Sequence, residues 1–175
     1  MPPGLPLSQR KRDAFFIVCF AFFAFSSFYS DACYTLYGMD GDARCVQANR
    51  AYAELAGDGL FAAQPGFLRT RTAVSAFVYG PFYLLLIWAF VRGANWIRKP
   101  ALLYVGAMLV GVCEHLVWEL TLGLAPERPA IFLAINLPYL LVPLLLGTRV
   151  WRARPFGGWE AASSGVTAPL RDRAS

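Results

Sequence analysis

Apolar positions in this chain gather into four blocks, at about residues 14–37, 72–90, 101–122 and 130–151, with polar punctuation between them. Each block is long enough to cross roughly 30 Å of hydrocarbon, which takes about 20 helical residues. The separators are charged or rich in Gly and Pro: residues 38–71, then "VRGANWIRKP", then "LAPERP". This pattern predicts an all-α integral membrane protein, a four-transmembrane-helix bundle spanning residues 14–152. Residues 1–13 form a short leading segment, and the Gly/Ala/Ser-rich stretch 153–175 reads as a disordered tail. The separator 38–71 is too long for a turn. Inside it, "CVQANRAYAELAG" sets Val46, Ala53 and Ala56 among polar residues and closes on Gly57. A short helix on the outer surface is expected there, followed by "DGLFAAQPGF" folded back over the bundle as a lid.

The first block has a rival reading. "SQRKRDAFFIVCFAFFAFSSFYSDA" has the basic start, apolar run and small residues of a secretory signal. Apolar and aromatic residues continue through Tyr34, Leu36 and Tyr37, which favours a retained span.

Composition agrees with the membrane reading: 57% of the residues are hydrophobic and 15% charged, where a soluble domain has about 25% charged. The net charge of +5 does not point to nucleic acid, since no basic stripe is interleaved with aromatics. Topology explains it better. Arg10, Lys11, Arg12, Arg92, Arg98, Lys99, Arg149, Arg152, Arg154, Arg171 and Arg173 fall on one side of a four-span layout, and Arg44, Arg50, Arg69, Arg71 and Arg128 on the other. Eleven against five predicts a multi-pass protein with both termini in the cytoplasm. Trp96 and Trp151 then fall at the cytoplasmic interface, which favours indole.

The cysteines at 19, 33, 45 and 113 have no CxxC or Cys/His zinc spacing, so no metal and no cofactor is expected. Cys33 and Cys45 could pair in an oxidising compartment, but space-filling free thiols are the plainer reading. No Walker loop, GxSxG elbow or HExxH motif gives soluble-enzyme chemistry a seat.

Ionisable residues inside membrane helices are costly and usually face a cavity or a partner. Here Asp31 lies in the outward half of the first span, and Glu114, His115 and Glu119 in the outward half of the third. At about 1.5 Å per residue, Asp31 and Glu119 sit roughly 8–10 Å above their helix centres. Thr72, Ser75 and Tyr79 of the second span and Asn136 and Tyr139 of the fourth reach the same level, whereas the inner half is nearly all apolar. His115 and Glu119 can share one helix face, as can Glu114 and Trp118. Asp31 and Glu114 are the favoured deep pair, and Glu119 either faces the cavity or reaches the outer headgroups. A pocket for a small molecule competes with a polar knot that merely fixes helix packing. Asp58, between two glycines, is either a turn cap or a contact into the cavity below. Gly80–Pro81, Pro138 and Pro143 interrupt their helices, and bent helices can splay around a cavity.

"GPFYLLLIWAFVRGANWIRKPALLYVG" followed by "NLPYLLVPLLL" resembles the EXPERA-domain family, that of the emopamil-binding protein (a sterol Δ8–Δ7 isomerase) and the sigma-2 receptor. The resemblance covers about residues 14–152. It implies a four-helix membrane fold with a ligand cavity opening sideways to lipid, and a homodimer through lipid-facing aromatics fits it. Asp31 matches the family's acidic residue near the end of the first helix, and Asp58 an aspartate in the following loop. Glu114, Asn136, Tyr139 and Gly80–Pro81 match further family positions. Ser27 stands where the isomerase has a histidine, and Thr72 and Ser75 where both members carry a glutamate. The resemblance therefore implies a membrane protein that binds a sterol-like or cationic amphiphilic molecule through Asp31, Ser75, Tyr79, Glu114, Trp118, Asn136 and Tyr139. The alternative is an isomerase using Asp31, Glu114 and His115 as its acid–base groups.

Overall fold

The computed structural model describes residue 7 and residues 10–121, 126–152 and 154–156. Most of the tail 153–175 and the first residues of the segment 1–13 lie outside the described residues. Among the described residues, six helices carry the fold. Helices α1 (Lys11–Tyr37), α4 (Gly66–Arg92), α5 (Asn95–Thr121) and α6 (Pro129–Val150) are long and apolar enough to cross a membrane. Helices α2 (Arg44–Ala56) and α3 (Gly59–Ala63) lie between α1 and α4. No strand occurs among the described residues. The end of the bundle bearing α2 and α3 is called the cap end below.

Helix α4 begins at Gly66, ahead of the expected start at residue 72, because its first turns are stabilised by polar contacts rather than apolarity. Arg69 donates to the Thr35 and Leu36 carbonyls at 2.6 and 3.0 Å, satisfying acceptors left free where α1 ends. Arg71, expected outside the membrane, consequently sits within the helix. Two helices also contain π-helical turns, Ser27–Asp31 in α1 and Ser75–Tyr79 in α4. The second immediately precedes Gly80–Pro81, so the interruption read from that proline takes the form of a widened turn. The first has no proline or glycine to announce it.

Helix α1 packs along α4, and α5 along α6. Their shared core, far from the cap, is aromatic: Phe20 stacks on Tyr83 at 6.1 Å, Phe16 contacts Phe90 at 5.5 Å, and Leu86, Ile97, Ala101 and Leu146 are fully buried. A second apolar cluster, Tyr34, Met39, Ala53, Leu60, Phe61 and Leu68, joins the cap to the bundle. A disulfide between Cys33 and Cys45 fastens the start of α2 to α1, so these two are not the free thiols of the plainer expectation. Cys19 and Cys113 are free.

Candidate functional site

Between the two apolar clusters lies a cavity of about 470 Å³. Met108, Tyr79 and Tyr139, at the edge of the aromatic core, form its floor. Tyr52, Phe61 and Leu68 of the cap cluster form its roof. Its open side lies between α4 and α5, where the lining residues Thr70, Val74, Val110 and Glu114 are all exposed.

Asp31 reaches the cavity from the first π-turn and is partly exposed to it. Ser75, from the second π-turn, donates its hydroxyl to Asp31 Oδ2 at 2.6 Å. With that proton committed, the Ser27 hydroxyl is the donor in its 3.0 Å contact with Ser75. Each π-turn thus supplies one side of a carboxylate–hydroxyl network. Such turns often mark functional positions because the extra residue redirects side chains without ending the helix. Across the floor, Tyr139 donates to Ser26 Oγ at 2.9 Å and stacks on Phe23 with ring centroids 4.4 Å apart.

The cap supplies a second network. Gly57 ends α2 in the left-handed region at φ 64°, and a Cβ there would lie 2.7 Å from the Glu127 backbone nitrogen. The chain therefore turns at once, and Asp58 caps α3 by accepting the Phe61 N–H at 2.7 Å. Its other oxygen accepts the Tyr52 hydroxyl at 2.7 Å, and Asn136 donates to that same hydroxyl oxygen at 3.2 Å. Burial, and after it the Asp58 charge, pushes the Tyr52 phenol above its ordinary range, so it stays a donor. Asp58 is both turn cap and cavity wall; the two readings of it do not exclude one another.

Helix α5 divides its polar residues between faces. His115 lines the cavity with Nε2 3.9 Å from Asp58 Oδ2. Glu119, one turn on, is fully buried and accepts the Leu60 N–H at 3.0 Å. It does not reach for headgroups, because α3 folds over this face and offers it a backbone donor. Glu114 is correspondingly turned away: its side chain is 53% exposed, 3.9 Å from Arg71 Nη1 at the cavity's open side. It is not the deep partner of Asp31. Trp118, on Glu114's face, packs on Phe67 at 5.7 Å and is absent from the cavity lining. Pro81 is exposed, Pro143 is buried within α6, and Pro138 begins that helix's second half, one residue before Tyr139.

Sequence reasoning missed Ser26, Ser30, Tyr52 and Arg71, all of which line the cavity. A signal for Tyr52 existed: Val46, Asn49, Ala53 and Ala56 are the buried positions of α2, a 3-4-3 spacing that brings Tyr52 beside them.

A family model described as EXPERA (EXPanded EBP superfamily) matches residues 45–150. The match takes in Asp58, Ser75, His115, Asn136 and Tyr139 and begins after Asp31. No curated protein and no solved structure matches the chain.

Proposed function

This chain belongs to the EXPERA family, the match at residues 45–150 covering more than half of it, and from that premise we propose that it binds a sterol-like or cationic amphiphilic small molecule in its membrane cavity. The observation that carries this reading is a carboxylate, Asp31, partly exposed into a chamber that also presents apolar side chains, among them Leu68, Met108, Val110, Val112 and Ile135. A volume of about 470 Å³ falls in the range of small-molecule pockets. The polar head of an amphiphile, an amine or a hydroxyl, would pair with Asp31, while Tyr79 and Tyr139 offer ring faces to its apolar or cationic part. The opening between α4 and α5 lets such a molecule arrive from the lipid.

The test is binding of a radiolabelled amphiphilic amine to protein in detergent. Asp31→Asn removes a charge-assisted hydrogen bond of about 1.5–3 kcal/mol and is expected to weaken binding about 10- to 100-fold. Unchanged affinity in a folded Asp31→Asn variant would remove the basis of the proposal.

A second reading, double-bond migration in a sterol-like lipid, has its own supporting observation: acid groups on separate elements, Asp31, Asp58 and His115, line one chamber. Such an isomerisation adds a proton to one alkene carbon and removes one from the carbon beside the resulting cation, with no net change in atoms or electrons. Conversion of a Δ8-sterol to its Δ7 isomer, abolished by Asp31→Asn or His115→Gln, would select this reading. Binding without turnover would select the first.

A further inference from the structure

We propose that Asp58, His115 and Glu119 form a site for a divalent transition ion of the Zn²⁺ class, at the cap end of the cavity. The three residues come from two elements. Asp58 is fixed ahead of α3, while His115 and Glu119 stand one turn apart on the same face of α5. One ligand atom from each lies within 4.8 Å of the other two. The His115 Nε2–Asp58 Oδ2 separation of 3.9 Å is too long for a hydrogen bond. Ligands held at about 2.0–2.2 Å around a tetrahedral ion stand roughly 3.3–3.6 Å apart, so small side-chain shifts bring the pair onto one ion.

A separate observation points the same way. Glu119 is 0% exposed, its Oε1 takes the Leu60 N–H, its Oε2 receives no N–H or O–H donor, and its carboxyl lies against that of Asp58. A buried carboxylate oxygen without a donor calls for something to fill its lone pairs. Charge agrees, because two carboxylates and a neutral imidazole balance a divalent cation. One nitrogen and two oxygen donors suit Zn²⁺, Co²⁺ or Mn²⁺ better than Ca²⁺, which takes six to eight oxygens. The outer contacts are in place as well: the Phe61 N–H and the Tyr52 hydroxyl hold the Asp58 carboxylate in orientation. Asp58 and His115 both line the cavity, so a fourth ligand, water or a bound molecule, would come from there. The sequence concealed the set because Asp58 lies far from the other two along the chain. None of the three ligands requires an amphiphile in the cavity, so ion uptake is independent of the amphiphile reading.

The alternative occupant is a proton shared between the Asp58 and Glu119 carboxyls. Co²⁺ distinguishes the two. Chelator-stripped, detergent-purified protein is titrated with Co²⁺ alone and then with Zn²⁺. The expected result is one Co²⁺ per chain, with the intense visible absorption of a four- or five-coordinate site, discharged by Zn²⁺. Glu119→Gln and His115→Gln should each weaken Co²⁺ uptake at least tenfold, and Glu54→Gln, an exposed carboxylate on α2, should not. The Glu119→Gln change keeps an acceptor for the Leu60 N–H, and His115→Gln gives a second, independent variant should the first fail to fold. Folded wild-type protein that takes up no Co²⁺ would overturn the proposal, as would equal uptake by wild type and both variants. A carbonyl stretch of a protonated acid, present in chelator-stripped wild type with or without added Zn²⁺ and lost in Glu119→Gln, would assign the shared proton instead.

Discussion

Asp13 sits in an environment that its sequence surroundings do not announce. It lies in the basic stretch ahead of the first apolar block, yet it is 1% exposed. Arg10 donates to it at 2.8 Å, and Arg149, from the far end of α6, at 2.8 and 3.1 Å. Both guanidinium groups also lie over the Phe156 ring, 5.6 and 5.0 Å from its centre. Breaking a buried ion pair by removing one partner costs about 3–5 kcal/mol, because the other charge is left uncompensated. Arg149 keeps 22% of its side chain open, so the lower end of that range applies. Asp13→Asn should therefore lose about 3 kcal/mol of unfolding free energy in detergent. The triple variant Arg10→Met/Asp13→Leu/Arg149→Met, which removes every charge of the cluster, should recover most of it. Amphiphile binding by folded Asp13→Asn should match wild type, because the cluster is remote from the cavity lining. An Asp13→Asn protein as stable as wild type would show that the pair contributes nothing net.

At the scale of elements, one side chain bridges the second and third spans beside the cavity's open side. Arg71 of α4 donates Nη2 to the Gly111 carbonyl of α5 and keeps Nη1 3.9 Å from Glu114. Both residues border the opening through which an amphiphile would pass. Arg71→Met keeps much of the side-chain length but removes the bridge. Ligand dissociation should then accelerate about tenfold, measured by displacement of a bound radioligand, with the protein still folded. An unaltered rate would mean that the ligand leaves by another route. The four spans were legible because some 20 apolar residues in a row have few other readings. The polar layer was legible too, since Asp31, Ser75, His115, Asn136 and Tyr139 are costly in lipid. Which glutamate of α5 turns inward was not. That choice depends on where α3 lies, and Gly57 and Asp58 set that through a turn invisible to helical periodicity. The π-turn that ends at Asp31 is a similar case: one inserted residue rotates everything beyond it by about 100° relative to an ideal helix.

For the whole molecule, two independent features argue for one orientation. Basic residues concentrate at the end away from the cap. The Cys33–Cys45 bond belongs to the cap end, and disulfides persist in oxidising compartments rather than the cytosol. Together they argue for a cap and cavity in the leaflet facing away from the cytoplasm, with both termini inside. The cavity would then draw its ligand from that leaflet alone. Labelling with a membrane-impermeant maleimide tests this, on a background in which Cys19 and Cys113 are replaced by Ala. Glu54→Cys, on the exposed face of α2, should react in intact cells. Ser163→Cys, in the tail, should react only after the membrane is permeabilised. The reverse pattern would place the disulfide in the cytosol and contradict both the charge bias and the proposed leaflet, whereas equal labelling of both positions would point to a dual topology.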